Sequence, residues 1–503
     1  MNRPIRRVAV AMGVLLLALV LNLNFVQVVR GNSYRSNPAN SRVLLDEYSR
    51  QRGAIVVQGV PVALSVKTTD RYKYLRKYPQ GTLYGPITGY YSLFYGESGM
   101  EAAESNLLNG NDPRLFGTRF ADLLTGRDPR GGSVVLTLNR AAQAEAFKQL
   151  VGRRGAVVAL DPATGAILAA VSTPSYDPSA LSSHNPDDIE RAYRKLSDDP
   201  GMPLLNRALN QTYPPGSVFK VVVAATALQN GRTPATVLAA PDRLNLPQST
   251  TSLENFGGES CGGGGKVSLD RALTISCNTA FAKLAMDLGT LAVRNEAALF
   301  GIDDQSRTVP LPVTASTMGP VVDQAALAQS AIGQRDVRVT PLQAAMISAG
   351  VANNGVLMQP YLVAQELAPN LSVLSRATPA QLNTVMDQES AIELKRMMQN
   401  VVTNGTGTAA QIPGIDVAGK TGTADTGVAC PTDTAAPDFE DTKRACAPHA
   451  WFSGFAPVEK PRIAVAVVLE NGGVTGGETT GGKAAAPVAA AVMKAYLDSI
   501  GIK

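Results

Sequence analysis

The sequence predicts an α/β (α+β) domain in which the two ends of the segment supply an antiparallel sheet sandwiched by helices, with an all-α subdomain inserted between them. Three observations predict it. From Gly155 the run GAVVALDPATGAILAAVSTPSYDP sets two β-rich stretches around the turn Asp161-Pro162-Ala163-Thr164-Gly165, as a hairpin opening a sheet would. Far along the chain, 451–457 and 463–469 again read as strands, the second almost wholly β-branched or apolar, and 484–497 is alanine-rich with bulkier residues at helical spacing. Between these ends, 280–288, 341–352 and 393–402 carry helix-compatible apolar spacing.

The elements before residue 151 are of another kind. Arg3, Arg6 and Arg7 precede an uninterrupted apolar run over 8–21, which continues more weakly to 29 past Asn22, Asn24 and Gln27. About 20 apolar residues cross a bilayer core, so 8–29 predicts a transmembrane signal-anchor helix. A cleaved signal peptide is the alternative, but no clear small-x-small site precedes Arg30. The arginines place residues 1–7 in the cytoplasm and the chain beyond about residue 30 outside, although Arg30 and Arg35 dilute the asymmetry. The expectation is a single-pass protein of the cytoplasmic membrane with its large domain extracytoplasmic. Residues 30–150 are rich in turns and polar residues, show no long amphipathic helix, and read as a separate pedestal or interaction module. With 503 residues the chain exceeds one hydrophobic core, and 151–503 is the remaining unit.

Composition narrows the function. Apolar residues make up 45% and charged residues 17%, which excludes a chain dominated by disorder. The +5 net charge is spread along the chain and aromatics are only 5%, so no nucleic-acid partner is expected. Cys261 and Cys277 are sixteen positions apart, as are Cys430 and Cys446. Neither spacing is that of a zinc or redox motif, and the only histidines are His184 and His449, so neither a metal site nor a cofactor is predicted. Four cysteines allow three pairings; the two local bridges are the expectation, with free thiols the alternative.

Three short elements carry chemistry. Tyr213-Pro214-Pro215-Gly216 forms a rigid turn that enters a helix-forming stretch over 217–228, so that Ser217 and Lys220 share a face one turn apart. A serine is a weak nucleophile without a neighbouring base, and a lysine can serve if burial and nearby positive charge keep it neutral. Alone, this pair recurs by chance. Ser276-Cys277-Asn278 offers a hydroxyl and an amide from a bend between helices. Lys420-Thr421-Gly422-Thr423 opens a strand-like run, with Lys420 as positive charge and the threonines as hydrogen-bond donors to a carboxylate. Gly422 reads as the place where a substrate backbone approaches closely. In this order, inside a domain opened and closed by strands, the three are specific.

They resemble the active-site triplet of penicillin-binding proteins and serine β-lactamases. Ile332-Gly333-Gln334, the stretches 339–343, 352–355 and 450–457, and in the N-terminal half 37–42, Arg52-Gly53, Gly99-Met100-Glu101 and 108–110 are similar to segments of the class B penicillin-binding proteins, so the resemblance covers nearly the whole chain. It implies the penicillin-binding transpeptidase/serine β-lactamase-like fold behind a non-catalytic dimerisation or pedestal domain. By the same resemblance Ser217 attacks the carbonyl between the terminal D-alanines of a peptidoglycan stem peptide, releases the last one, and passes the acyl group to a neighbouring stem amine; β-lactam antibiotics would be trapped at the same serine. Lys220 would be the base, Ser276 and Asn278 would relay protons and hold the substrate amide, and Lys420 and Thr421 would support the relay. Gly422 and Thr423 would bind substrate, and the backbone N–H groups of Ser217 and Thr423 would form the oxyanion hole. A bridge from Cys277 to Cys261 would stiffen the site. Residues 30–150 lack a glycosyl-transfer pattern, so polymerisation would fall to a membrane glycosyltransferase partner.

Rival readings are weaker. Neither His184, in a polar loop, nor His449, before a core strand, has the surroundings of a Ser-His-Asp site, and Gly-rich 257–265 lacks a phosphate-loop lysine. No stretch matches the glutamate-bearing loop of a β-lactamase. A D,D-carboxypeptidase differs only in using water as acceptor. A penicillin-binding sensor or division scaffold is the alternative of another class, though only seven residues precede the membrane helix and all three elements are intact.

Overall fold

The computed structural model describes residues 2–30, 48–126, 130–428, 443, 446–473 and 480–503. The two ends of the large domain meet in one sheet. Gly155–Leu160 (β1) and Ile167–Thr173 (β2) form the opening hairpin, and Ala418–Ala424 (β3), His449–Ala456 (β4) and Ile463–Leu469 (β5) complete five antiparallel strands in the order β3-β4-β5-β1-β2. Both faces are covered, which is why these strands read as continuous apolar runs. In β5, Ala464, Ala466 and Val468 enter one core cluster while Ile463, Val465, Val467 and Leu469 enter another.

Six helices frame this sheet and the site: α1 (Arg140–Leu150), α2 (Lys220–Gln229), α3 (Asn278–Leu288), α4 (Pro341–Ala352), α5 (Gln388–Asn404) and α6 (Ala486–Ser499). α1 and α6 cover one face; α4 covers the other and is buried along its whole length. α4 starts where expected because Thr340 accepts the N–H of Gln343 at 3.1 Å and Pro341 takes the first helical position. α5 starts earlier than its apolar spacing suggests, because Asp387 caps it by accepting the Ser390 N–H at 2.9 Å. The stretch 217–228 is not one α-helix: Gly216–Phe219 is a 3₁₀ turn and α2 begins at Lys220. Side chains three apart eclipse in a 3₁₀ turn, so Ser217 and Lys220 still share a face.

Ahead of this domain, a six-stranded sheet runs in the order Val373–Arg376, Val363–Leu367, Ser133–Leu136, Ile55–Val57, Val60–Lys67, Tyr74–Lys77. It therefore draws strands from both sides of residue 150, and the Arg114–Glu366 ion pair ties the two parts again. Helices also stand where no long amphipathic pattern is legible. Phe116–Thr125 is short, and α1 buries mainly Ala142, Gln143, Ala146 and Leu150, a face too poor in large apolar residues to register in sequence. Gln143 bonds the backbone of Ala170 in β2 and the carbonyl of Leu83, joining the sheet to the preceding module. Within the module, Glu101 is fully buried between Arg52 and Arg76, each 2.7 Å away. Burial pushes its carboxyl up, but the two guanidiniums outweigh that and hold it below the usual carboxylate range.

The N-terminal helix, Asn2–Asn24, continues as a π-helical turn to Val29. The most apolar window of its Arg3–Val29 stretch has a mean hydropathy of 2.3 with no residue buried, so among the described residues one helix is long and apolar enough to cross a membrane.

Candidate active site

Ser217 is placed by its backbone surroundings. Tyr213 exchanges both backbone hydrogen bonds with Val339 at 2.9 Å, the buried Trp451 of β4 donates its indole N–H to Pro214 O at 3.0 Å, and Gly216 N–H donates to Gly333 O at 3.0 Å. Gly216 has φ +54°, and a Cβ there would lie 2.5 Å from Thr423 O, so the turn that bears Ser217 sits directly against β3.

The second element is a bend, as expected. Ser276 adopts φ +63° between the helix Leu269–Thr274 and α3. Lys220, fully buried, donates to Ser276 O at 2.7 Å, Ser276 Oγ at 3.3 Å and Asn278 Oδ1 at 2.7 Å. All its hydrogen bonds go to this bend; among the described residues none joins Lys220 to Ser217 Oγ. Burial drives the Lys220 ammonium well below the usual lysine value, and the charge of Lys420 drives it further. Lys420 is likewise buried, donates to Thr421 O at 3.0 Å, and is pushed down to about 7 by burial.

The three elements open on one cleft of about 210 Å³, lined by Ser217, Ser276, Asn278, Thr421 and Thr423 together with Cys261 and Cys277. The two lysines lie behind this lining. Gly422 is not part of it. A Cβ at Gly422 would fall 2.6 Å from Pro215 O and 3.0 Å from the Trp451 Cβ, so the close approach that excludes a side chain comes from the turn that bears Ser217 and not from the cleft. Cys261 and Cys277 form the expected disulfide, with Cα atoms 5.8 Å apart. Cys430 lies outside the described residues, and the expected bridge to Cys446 with it.

Sequence reasoning missed several lining residues. Thr406 meets Thr421, oxygen to oxygen at 2.6 Å, and Gln334, Thr480, Phe256 and Glu259 also face the cleft. Asn255 Oδ1 accepts the N–H of Asn278 at 2.9 Å and of Thr279 at 3.1 Å, capping α3 from a distant loop because Cys277 has no capping oxygen of its own. Gln334 lies in the Ile332-Gly333-Gln334 segment noted above, and the flanking glycines of Gly405-Thr406-Gly407 were a further legible signal. The histidines lie outside the cleft: His184 pairs with Asp70, and half-buried His449 accepts the N–H of Asn471 at 3.2 Å. Trp451 and Phe452 pack in the two core clusters on opposite faces of the sheet.

Comparison with known proteins accords with this geometry. Residues 155–494 match the penicillin binding protein transpeptidase domain, and residues 52–134 match the penicillin binding protein A dimerisation domain. This chain belongs to the class B penicillin-binding transpeptidases. Within that family, it is 47% identical over 504 residues to peptidoglycan D,D-transpeptidase PbpA of Mycolicibacterium smegmatis, covering 99% of each chain. To the protein of the same name from Mycobacterium tuberculosis it is 45% identical over 502 residues, again covering 99% of each. A solved structure of M. tuberculosis penicillin-binding protein A as its ceftriaxone acyl-enzyme superposes with a TM-score of 0.85 at 45% identity, covering 90% of this chain and 100% of that one. The penicillin-binding fold is thus the one the sequence predicts.

Proposed function

We propose that this chain is a peptidoglycan D,D-transpeptidase whose nucleophile is Ser217. One observation carries the reading: a fully buried lysine, Lys220, joins the turn that bears Ser217 to the bend that bears Ser276 and Asn278, with its ammonium disfavoured by burial and by Lys420. A neutral Lys220 accepts the Ser217 proton, through Ser276 or after swinging from its bond to Asn278. Ser217 Oγ then bonds to the carbonyl carbon between the terminal D-alanines, the C–N bond breaks, and the leaving D-alanine nitrogen takes a proton. A stem amine later attacks the acyl carbon, and the serine oxygen regains its proton.

Asn278 orients the substrate amide, while Lys420 and Thr421 steady the relay and Thr423 binds the terminal carboxylate. The N–H groups of Ser217 and Thr423 form the oxyanion hole. β3 is an edge strand whose Thr423 backbone abuts Gly216, which supports that pairing. Amides aimed at developing negative charge are worth about 3 kcal/mol each in such sites. β-Lactams acylate the same oxygen and block the second step. The N-terminal helix anchors the chain with its first residues in the cytoplasm, and a membrane glycosyltransferase supplies the glycan strands. The domains divide as 1–7 tail, 8–29 anchor, 30–150 pedestal and 151–503 transpeptidase, except that α1 packs on the transpeptidase sheet and Val363–Leu367 and Val373–Arg376 complete the pedestal sheet.

Fluorescent penicillin tests the assignment. Label should map to the peptide containing Ser217 and vanish in Ser217→Ala; label retained in that variant refutes the nucleophile.

A further inference from the structure

The chemistry of the cleft wall bears on the acceptor, an inference that rests on the transpeptidase reading. Among the described residues that line the cleft, Glu259 is the one with a charged side chain. Thr406, Thr421, Thr423 and Thr480 offer neutral hydroxyls, and Lys220 and Lys420 lie buried behind. Although Glu259 is exposed, its backbone is fastened to the catalytic bend. The Cys261–Cys277 disulfide holds one end of the stretch 254–261, and Asn278 Nδ2 donates to Glu254 O at 3.1 Å at the other. Asn255 bridges the middle: its Oδ1 caps α3 while its Nδ2 donates to Glu259 O at 3.0 Å. A carboxylate is thereby presented to the cleft from a loop tied at three points to the Ser276–Asn278 bend and α3.

We propose that Glu259 is a specificity-determining residue for the second half-reaction, recognising the acceptor as a primary ammonium group. The amine that must attack the acyl-enzyme arrives near neutral pH carrying a proton, and a carboxylate at the rim raises its local concentration. The donor stem ends in a carboxylate, to which the threonine hydroxyls donate and which Glu259 repels, so the two substrates are sorted by charge. At reaction the ammonium sheds two protons, one ending on Ser217 Oγ and one passing to solvent. The new C–N bond forms as the bond between the acyl carbon and Ser217 Oγ breaks.

The test uses the full-length chain in detergent with a D-Ala-D-Ala stem peptide as donor and two acceptors: Nα-acetyl-lysine amide, an ammonium, and hydroxylamine, largely neutral at pH 7. Glu259→Gln should lower the ratio of transfer to hydrolysis for the lysine amide about threefold to tenfold, as a surface charge pair would, through a higher apparent KM that salt also raises. Glu259→Asp should restore part of it. Transfer to hydroxylamine should stay at the wild-type level, and acylation by anionic penicillin should not slow. Unchanged transfer to the lysine amide in Glu259→Gln overturns the proposal, as does an equal loss with both acceptors, which would mark the loop as merely structural. A wild-type chain that releases D-alanine but transfers to neither acceptor would instead refute the transpeptidase reading itself, and this proposal with it.

Discussion

Lys220 Nζ donates a 2.7 Å hydrogen bond to Asn278 Oδ1, linking the helix behind the nucleophile turn to the helix behind the Ser-x-Asn bend. A neutral amide at this distance leaves the lysine free to lose its proton. Asn278→Asp would set a carboxylate there, and an opposite charge favours the ammonium. Acylation by penicillin at pH 7 should fall at least about tenfold and recover as pH rises. A pH profile with an unmoved midpoint would remove Lys220 as the base.

Buried Lys420 should make stability pH-dependent. Its folded value is pushed from 10.5 to about 7, so between those pH values the unfolded chain binds one more proton than the folded one. Stability therefore rises with pH across that window and declines as pH falls toward 7, by up to about 1.4 kcal/mol per pH unit. Lys220, lowered by burial and by Lys420, adds a slope of the same sign. Thermal melts from pH 7.5 to 9.5 should show a shallower rise in Lys420→Met than in the wild type; identical slopes would show that Lys420 is charged when folded.

Gly422→Ala should act on the nucleophile without touching the cleft. Its new Cβ would meet Pro215 O at 2.6 Å and push the turn that carries Ser217. Overpacking of this kind costs about 1–3 kcal/mol. Acylation should slow out of proportion to that loss, and stopped-flow labelling beside a denaturation curve separates the two effects.

In the pedestal, Glu101→Ala would leave buried Arg76 without its carboxylate and Arg52 with Glu97 alone, 3.1 Å away, at a cost of about 3–5 kcal/mol. Chemical denaturation should show this loss while the folded fraction still takes penicillin at Ser217. An unaltered midpoint would mean that the two guanidiniums reach water when Glu101 is gone.

The parts of the site legible in the sequence are those whose geometry is local. Ser217 and Lys220 share a face whether their turn is 3₁₀ or α, and the Ser276 bend is written in three adjacent residues. What could not be read is contact between distant segments. Nothing in the stretch around Asn255 says that its side chain caps α3, nothing near 363–376 says that those strands complete the sheet of the N-terminal module, and Gly422 has its cause in Pro215, more than two hundred positions earlier.

The sequence by itself determined the chemistry: an anchor-like apolar helix, a sheet built from two ends, a serine with its lysine, and two further motifs able to hold a substrate. Periodicity and turn chemistry act over a few residues, so a linear reading captures them. Only the tertiary structure decided that both lysines are stripped of water and that a carboxylate on a disulfide-pinned loop joins the cleft wall. Burial and long-range pairing are properties of the packed chain, set by every element that covers Lys220, and no single segment encodes them.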